Sequence, residues 1–314
     1  MPNPLLEDHV FHFTASRKFG GRKAVCFAAR LSGLYRSTDG GRTWGSALGS
    51  LNLQTPLAAL TVALSPDFEH DPSVFVGLHG GILHSSDGGQ NWENAEVPSP
   101  PPVVSAMAIS PNFAEDGLLF AATMDDGVLC SSDRGRRWSA WNFGLMDLNT
   151  FCTAISPNFA NDETLFVGTQ SGIFRSTNGG RAWREVNLPI GFEAVLSMAI
   201  SPDFARDSTL FAGTENHGVL QSADGGQTWN RIGKSRLKQP INAILLAPNF
   251  PKQPGLLVLH GGKLLTSADN GKTWKSWRDN VLSGKNVTAI LAPYGFDNGH
   301  AALAGIEDGS ILTA

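Results

Sequence analysis

One eight-residue pattern, Ser-x-Asp/Asn-x-Gly-x-x-Trp, occurs six times in this chain and constrains it more than any other feature. The copies are STDGGRTW (37–44), SSDGGQNW (85–92), SSDRGRRW (131–138), STNGGRAW (176–183), SADGGQTW (222–229) and SADNGKTW (267–274). Their third positions, Asp39, Asp87, Asp133, Asn178, Asp224 and Asp269, lie 48, 46, 45, 46 and 45 residues apart. Self-similarity at such a period means one supersecondary unit stacked many times, and the spacing suits a four-stranded propeller blade.

Each unit reads alike. An apolar stretch ending in Ser-Pro or Ala-Pro (SAMAISP, CTAISP, SMAISP) leads into a turn such as PNFAND or PDFARD. A strand such as TLFAGT follows, then a Gly-bearing loop, a strand such as GVLQS, the box, and an outer strand opened by the box Trp. These runs are short and turn-bounded and lack the 3.6-residue periodicity of helices. Seven inner strands can be counted: VFHFTAS, LTVALSP, SAMAISP, CTAISP, SMAISP, NAILLAP and TAILAP. The seventh unit has only three strands and no box. The expected fold is therefore all-β, a seven-bladed β-propeller spanning 1–314 as a single domain. Its blades fall near 10–48, 57–97, 103–143, 150–188, 194–233, 240–278 and 286–314 plus 4–9. Leu5–Asp8 is expected to supply the missing outer strand, so that N- and C-terminal strands close the last blade without a free edge.

Inside the box, Ser and Asp side chains can satisfy the backbone of a tight turn, and Gly suits positive φ. The Trp can bury its ring beneath that turn. A catalytic carboxylate is not needed six times around a ring, and Asn178 replaces it in one copy, so the box reads as a structural staple. Asp71, Asp116, Asp162 and Asp207, closing the PDF/PNF turns, read as turn caps, each loop offering too few oxygens for calcium.

The box resembles the Asp-box, or BNR, repeat, and the resemblance covers nearly the whole chain. Families built on that repeat include sialidases, xyloglucan-cleaving glycosidases, sortilin-type receptors and photosystem II assembly factors, all β-propellers. The resemblance implies the architecture and leaves the function open. Bacterial sialidases also carry an Arg-Ile-Pro motif and a Tyr nucleophile. Arg-Ile-Pro does not occur here, and the two tyrosines, Tyr35 and Tyr294, are expected on the box side of the ring.

In an up-and-down blade the box and the SPxF turn share one face, whereas the second–third loops and inter-blade links share the other. The second face varies between units, and function usually sits on variable loops held by a rigid scaffold. Its loops carry Arg30, His79, Asp125, Asp126, Gln170, Glu215, His217, His260, Glu307 and Asp308. Its links add VPSPPP (97–102), WNFGLMDLN (141–149), LPIGFE (188–193) and KSRLKQ (234–239). A polar ring with an apolar rim is the default ligand site, for a small molecule or a protein. His79, His217 and His260 come from three blades without HxH or HxxH spacing, so no metal or other cofactor is expected.

The net charge of −4 gives no footprint for nucleic acid. No apolar run is long enough for a membrane span, and MPNPLLEDHVFHFT lacks a secretory pattern. Cys26, Cys130 and Cys152 sit in apolar runs as expected buried thiols, in keeping with a cytoplasmic location. No G-x-S-x-G nucleophile setting or phosphate loop occurs. The favoured reading is non-catalytic binding through the variable face. The alternative is an acid–base enzyme, glycoside hydrolase- or lyase-like, using Asp125, Asp126, Glu215, His217 and Glu307 at the same mouth.

Overall fold

Alternating apolar runs of four to seven residues, punctuated by Gly and Pro, form small antiparallel sheets wherever they can bury both faces. In the computed structural model, which describes residues 8–17, 19, 24–297 and 299–314, they form seven. Six sheets have four strands in sequence order; blade 4, for example, is Thr150–Ile155, Leu165–Thr169, Ile173–Ser176 and Arg184–Val186. The seventh sheet has three, Val287–Leu291, Leu303–Ile306 and Ile311–Thr313. Each first strand packs against the first strand of the next blade, and Val10–Ala15 packs against Val287–Leu291, so the ring is closed. The chain is a seven-bladed β-propeller, as the period predicted. The proposed seventh-blade outer strand, Leu5–Asp8, lies outside the described residues except for Asp8.

Two devices seat one blade on the next. The first is the box glycine at its fifth position, Gly41, Gly89, Gly135, Gly180, Gly226 and Gly271, held at φ between 80° and 88°. Apart from the backbone preference, a Cβ has no room there. It would lie 2.7 Å from the Phe27 ring at Gly89, 2.3 Å from Phe75 at Gly135 and 2.5 Å from Phe166 at Gly226. Each ring belongs to the second strand of the preceding blade. At Gly41 the neighbour is Leu303 of blade 7, 2.8 Å away, which carries the same contact across the seam.

The second device is the box Trp. Trp44, Trp138, Trp229 and Trp274 give their indole N–H to the carbonyl of their own box glycine, at 3.0–3.2 Å. Trp92 and Trp183 reach instead into the previous blade, to the carbonyls of Ala47 (2.8 Å) and Trp141 (2.7 Å). The box is thus a turn staple and an inter-blade fastener together.

The staple is uniform. Ser37, Ser85, Ser131, Ser176, Ser222 and Ser267 are buried, and each Oγ accepts the N–H of the box glycine at 2.8–2.9 Å. Each also donates to the Asp or Asn oxygen. In the last copy the Thr273 hydroxyl and amide and the Ser267 hydroxyl hold the Asp269 carboxyl down at about 2. The fourth copy lacks the carboxylate, having Asn178, and also lacks the hydroxyl donor, having Ala182. Three of the four PNF/PDF turns are single helical turns, such as Phe113–Asp116, and the one ending at Asp71 is a non-helical turn. As expected, their Asp side chains close them: Asp162 takes Ser156 Oγ (2.7 Å) and Thr164 N (2.9 Å).

Candidate functional site

The links and second–third loops interleave on the face opposite the boxes. Each link runs between the loop of the blade it leaves and the loop of the blade it enters. In 141–149 the Leu148 carbonyl takes Gly127 N (2.9 Å), and the Asn149 carbonyl takes Gln170 N (3.0 Å).

Side chains in the links clip these loops, and three of the clips are carboxylates that the sequence reading missed. Asp8 accepts Ser32 N and Oγ (both 2.8 Å) and pairs with Arg30. Asp147 accepts Ser171 N (2.8 Å) and Oγ (2.7 Å). Burial opposes its ionisation, but the Ser171 hydroxyl and the Asn149 and Ser171 amides outweigh this and lower its pKa. Glu193, buried, accepts Asn216 N (2.5 Å) and lies 3.0 Å from His217 Nδ1, out of line for a hydrogen bond. The signal was there: Asp8, Asp147 and Glu193 each stand two or three residues before an inner strand.

Most of the ten sequence-predicted residues are therefore fasteners. Arg30 pairs with Asp8 and stacks 4.3 Å over Tyr35. Gln170 meets Asn149 (3.3 Å), and Glu307 accepts Asn286 Nδ2 (2.7 Å). His260 Nε2 accepts two amides, Lys238 N (3.0 Å) and Gln239 N (2.9 Å). Burial, then Arg236 and Lys263, lower its pKa, so the ring is held neutral. Asp308 caps Ser310 within its own loop. His79 bridges to Val103 through its backbone. The Glu215 carboxylate is exposed, with only Asn216 Nδ2 at 3.5 Å; the Asp126 carbonyl accepts Asn142 Nδ2 (2.8 Å), while the carboxylates of Asp125 and Asp126 accept no hydrogen bond among the described residues. No three His, Cys, Asp or Glu among the described residues come together as a metal site.

Tyr35 departs from expectation. Its strand, Gly33–Ser37, is so short that the phenol reaches the variable face, 3.1 Å from Ser32 Oγ. Two concavities stand out, and neither touches the variable loops. One of about 460 Å³ lies on the box face between Ala15–Arg17 and Leu64–His70. The other, about 370 Å³, is on the outer rim between Arg36–Ser50 and Gly89–Gln90. All three cysteines are free and buried, as expected. Among the described residues no helix is long and apolar enough to cross a membrane.

What distinguishes the variable face is apolar exposure. Of ten large apolar side chains left exposed among the described residues, seven belong to its loops and links, Leu31, Leu53, Phe143, Met146, Leu148, Phe192 and Val281, and Met124 ends the strand that leads into one of those loops. Phe11 is on an inner strand, and only Tyr294 is on the box face.

Residues 136–281 match the family described as photosynthesis system II assembly factor YCF48. No curated protein matches the sequence. Among solved structures, YCF48 bound to a D1 peptide is similar over 100% of this chain and 97% of its own, at 18% identity and TM-score 0.70. An ancestral GH74 enzyme is similar at 18% identity and TM-score 0.74 over 98% of this chain. The extracellular domain of a one-component system from B. thetaiotaomicron is similar at 15% identity and TM-score 0.69 over 99% of this chain. This chain spans 45% of the GH74 enzyme and 40% of the B. thetaiotaomicron domain. Six fastened boxes and seven sheets in a closed ring make this chain a seven-bladed β-propeller whose repeat is similar to the Asp-box, or BNR, repeat.

Proposed function

We propose that this propeller is a non-catalytic binding protein that holds a polypeptide partner on its variable face. The observation that carries this reading is the bias of exposed apolar side chains to that face, with Met146 83% and Phe192 82% exposed. Contiguous exposed apolar surface on a soluble scaffold marks an interaction site. These side chains stand on anchored links, since Leu145 and Leu188 beneath them are buried. The likeness to a peptide-bound YCF48 over nearly the full length of both chains is in keeping with it. The enzyme alternative draws on the likeness to a GH74 enzyme. It is weaker because Glu307 is engaged with the link residue Asn286 and neither concavity is lined by the candidate carboxylates.

The test is display of random peptides of about 16 residues against the protein and against a Met146→Asp/Phe192→Asp double variant, alongside a glycan hydrolysis panel. Peptides enriched on the native protein and lost on the variant support the reading. Glycan cleavage abolished by Asp125→Asn or Glu215→Gln overturns it, as does the absence of any variant-sensitive peptide.

A further inference from the structure

Resting on that reading, we propose that the docking surface is the sector of blades 3 to 5. Its occupant is a cationic amphipathic polypeptide segment, with apolar anchors set beside Lys or Arg.

Hydrogen bonds gather the apolar side chains of this sector. Ser171, in the loop of blade 4, gives N–H and Oγ–H to Asp147, and its carbonyl takes Glu193 N (3.2 Å). One residue thus ties together the link carrying Met146 and Leu148 and the link carrying Phe192. The Leu148 carbonyl, bonded to Gly127 N (2.9 Å), brings in the blade 3 loop with Met124. Four exposed apolar side chains therefore stand on one backbone network across three blades.

The charge of this sector has one sign. Segments 123–127, 141–149, 169–172, 188–193 and 214–218 contain Asp125, Asp126, Asp147, Glu193 and Glu215 and no Lys or Arg. Asp147 and Glu193 are spent on clipping loops, as described above. Asp125 and Asp126 follow Met124 in the blade 3 loop and Glu215 lies in the blade 5 loop, without a cation in these segments to neutralise them. The neighbouring link reverses the sign, with Lys234, Arg236 and Lys238, and Lys263 lies beyond it. A segment bearing cations is attracted to blades 3 to 5 and repelled by the adjoining sector, which fixes where it docks and along which sector it runs. An acidic segment meets the opposite field. The apolar anchors supply most of the affinity, and the exposed carboxylates supply selection and salt dependence.

The test titrates two synthetic peptides, one alternating Leu and Lys on helical faces and one with Glu in place of Lys, into the full-length protein by fluorescence anisotropy. The Leu/Lys peptide is expected to bind at least about tenfold more tightly than the Leu/Glu peptide at low salt. That preference should shrink at high salt, as screening predicts. It should also disappear in an Asp125→Asn/Asp126→Asn/Glu215→Gln variant, whose near-isosteric amides, at two exposed positions and one half-buried one, leave the fold intact. Phe192→Asp should weaken Leu/Lys binding by about tenfold or more. Equal binding, a preference for Leu/Glu, or a preference that survives the triple variant overturns the charge inference while the display result still judges the polypeptide-binding reading. Dissociation constants weaker than about 1 mM for both peptides also overturn it. Leu/Lys binding indifferent to Phe192→Asp overturns the placement.

Discussion

The box is named for its aspartate, yet the structure makes the serine its keystone, and the two can be separated by mutation. Ser222 is 1% exposed, and its Oγ accepts Gly226 N (2.9 Å) and donates to Asp224 Oδ1 (2.8 Å). The bond to Gly226 N is buried, so bulk solvent does not reach the amide that the lost hydroxyl leaves behind. Ser222→Ala therefore strands a buried N–H, which costs about 1–3 kcal/mol, and the lost bond to Asp224 brings the total to about 2–4 kcal/mol. Asp224→Asn keeps the Oδ1 acceptor for Thr228 N (2.9 Å) and replaces Oδ2, which accepts Thr228 Oγ (2.6 Å), by an amide group that can donate to the same rotatable hydroxyl, so at this exposed site it costs about 1 kcal/mol or less. The fourth copy already lives with that change, since Asn178 Oδ1 takes Ala182 N at 2.9 Å. The assay is guanidinium unfolding of both variants, read as a shift in midpoint at unchanged slope. Ser222→Ala should cost at least about twice as much as Asp224→Asn. If Asp224→Asn costs as much as Ser222→Ala, the carboxylate has a role beyond the turn and the staple argument fails.

Two further outcomes follow from the same packing and electrostatics. Gly213→Ala places a Cβ 2.3 Å from Ser197 Oγ and 2.6 Å from Ile241 Cγ2, at the join of blades 5 and 6. It should destabilise by about 1–3 kcal/mol, whereas Gly49→Ala, with nothing within 4 Å, should be neutral in the same melts. On acidification, His260 resists protonation in the folded state, so its contribution is complete above its unfolded pKa of 6.5 and is lost as pH falls below it. The box carboxylates respond lower: Asp269 contributes above its ordinary 3.8, and that contribution drains away as pH falls toward about 2. Stability measured against pH should therefore decline in two separated acid steps; His12 and His84, whose pKa values burial also lowers, share the upper one, so His260→Gln should shrink that step without abolishing it.

The repeat made the architecture legible because every blade must solve the same problem. Each needs a turn that satisfies its own backbone and a glycine that lets the next blade approach, and both demands fall on fixed positions. Residues such as Ser222, Gly226 and Trp229 could be read from spacing alone, as could the seven inner strands. Partnership between segments far apart in sequence could not. Whether Arg30 and His260 bind ligands or fasten loops depends on Asp8 and on the amides of Lys238 and Gln239, which only the closed ring brings to them. Tyr35 fell on the unexpected face because side-chain reach exceeds half the length of a five-residue strand. Likewise, sequence lists Met146 and Phe192 as ordinary link residues. Their exposure, and the tying of their links through Ser171, arise only when three blades stand side by side. Local turn chemistry and periodicity fixed the ring, and the tertiary structure decided which variable residues are already bonded and which are left to meet a partner.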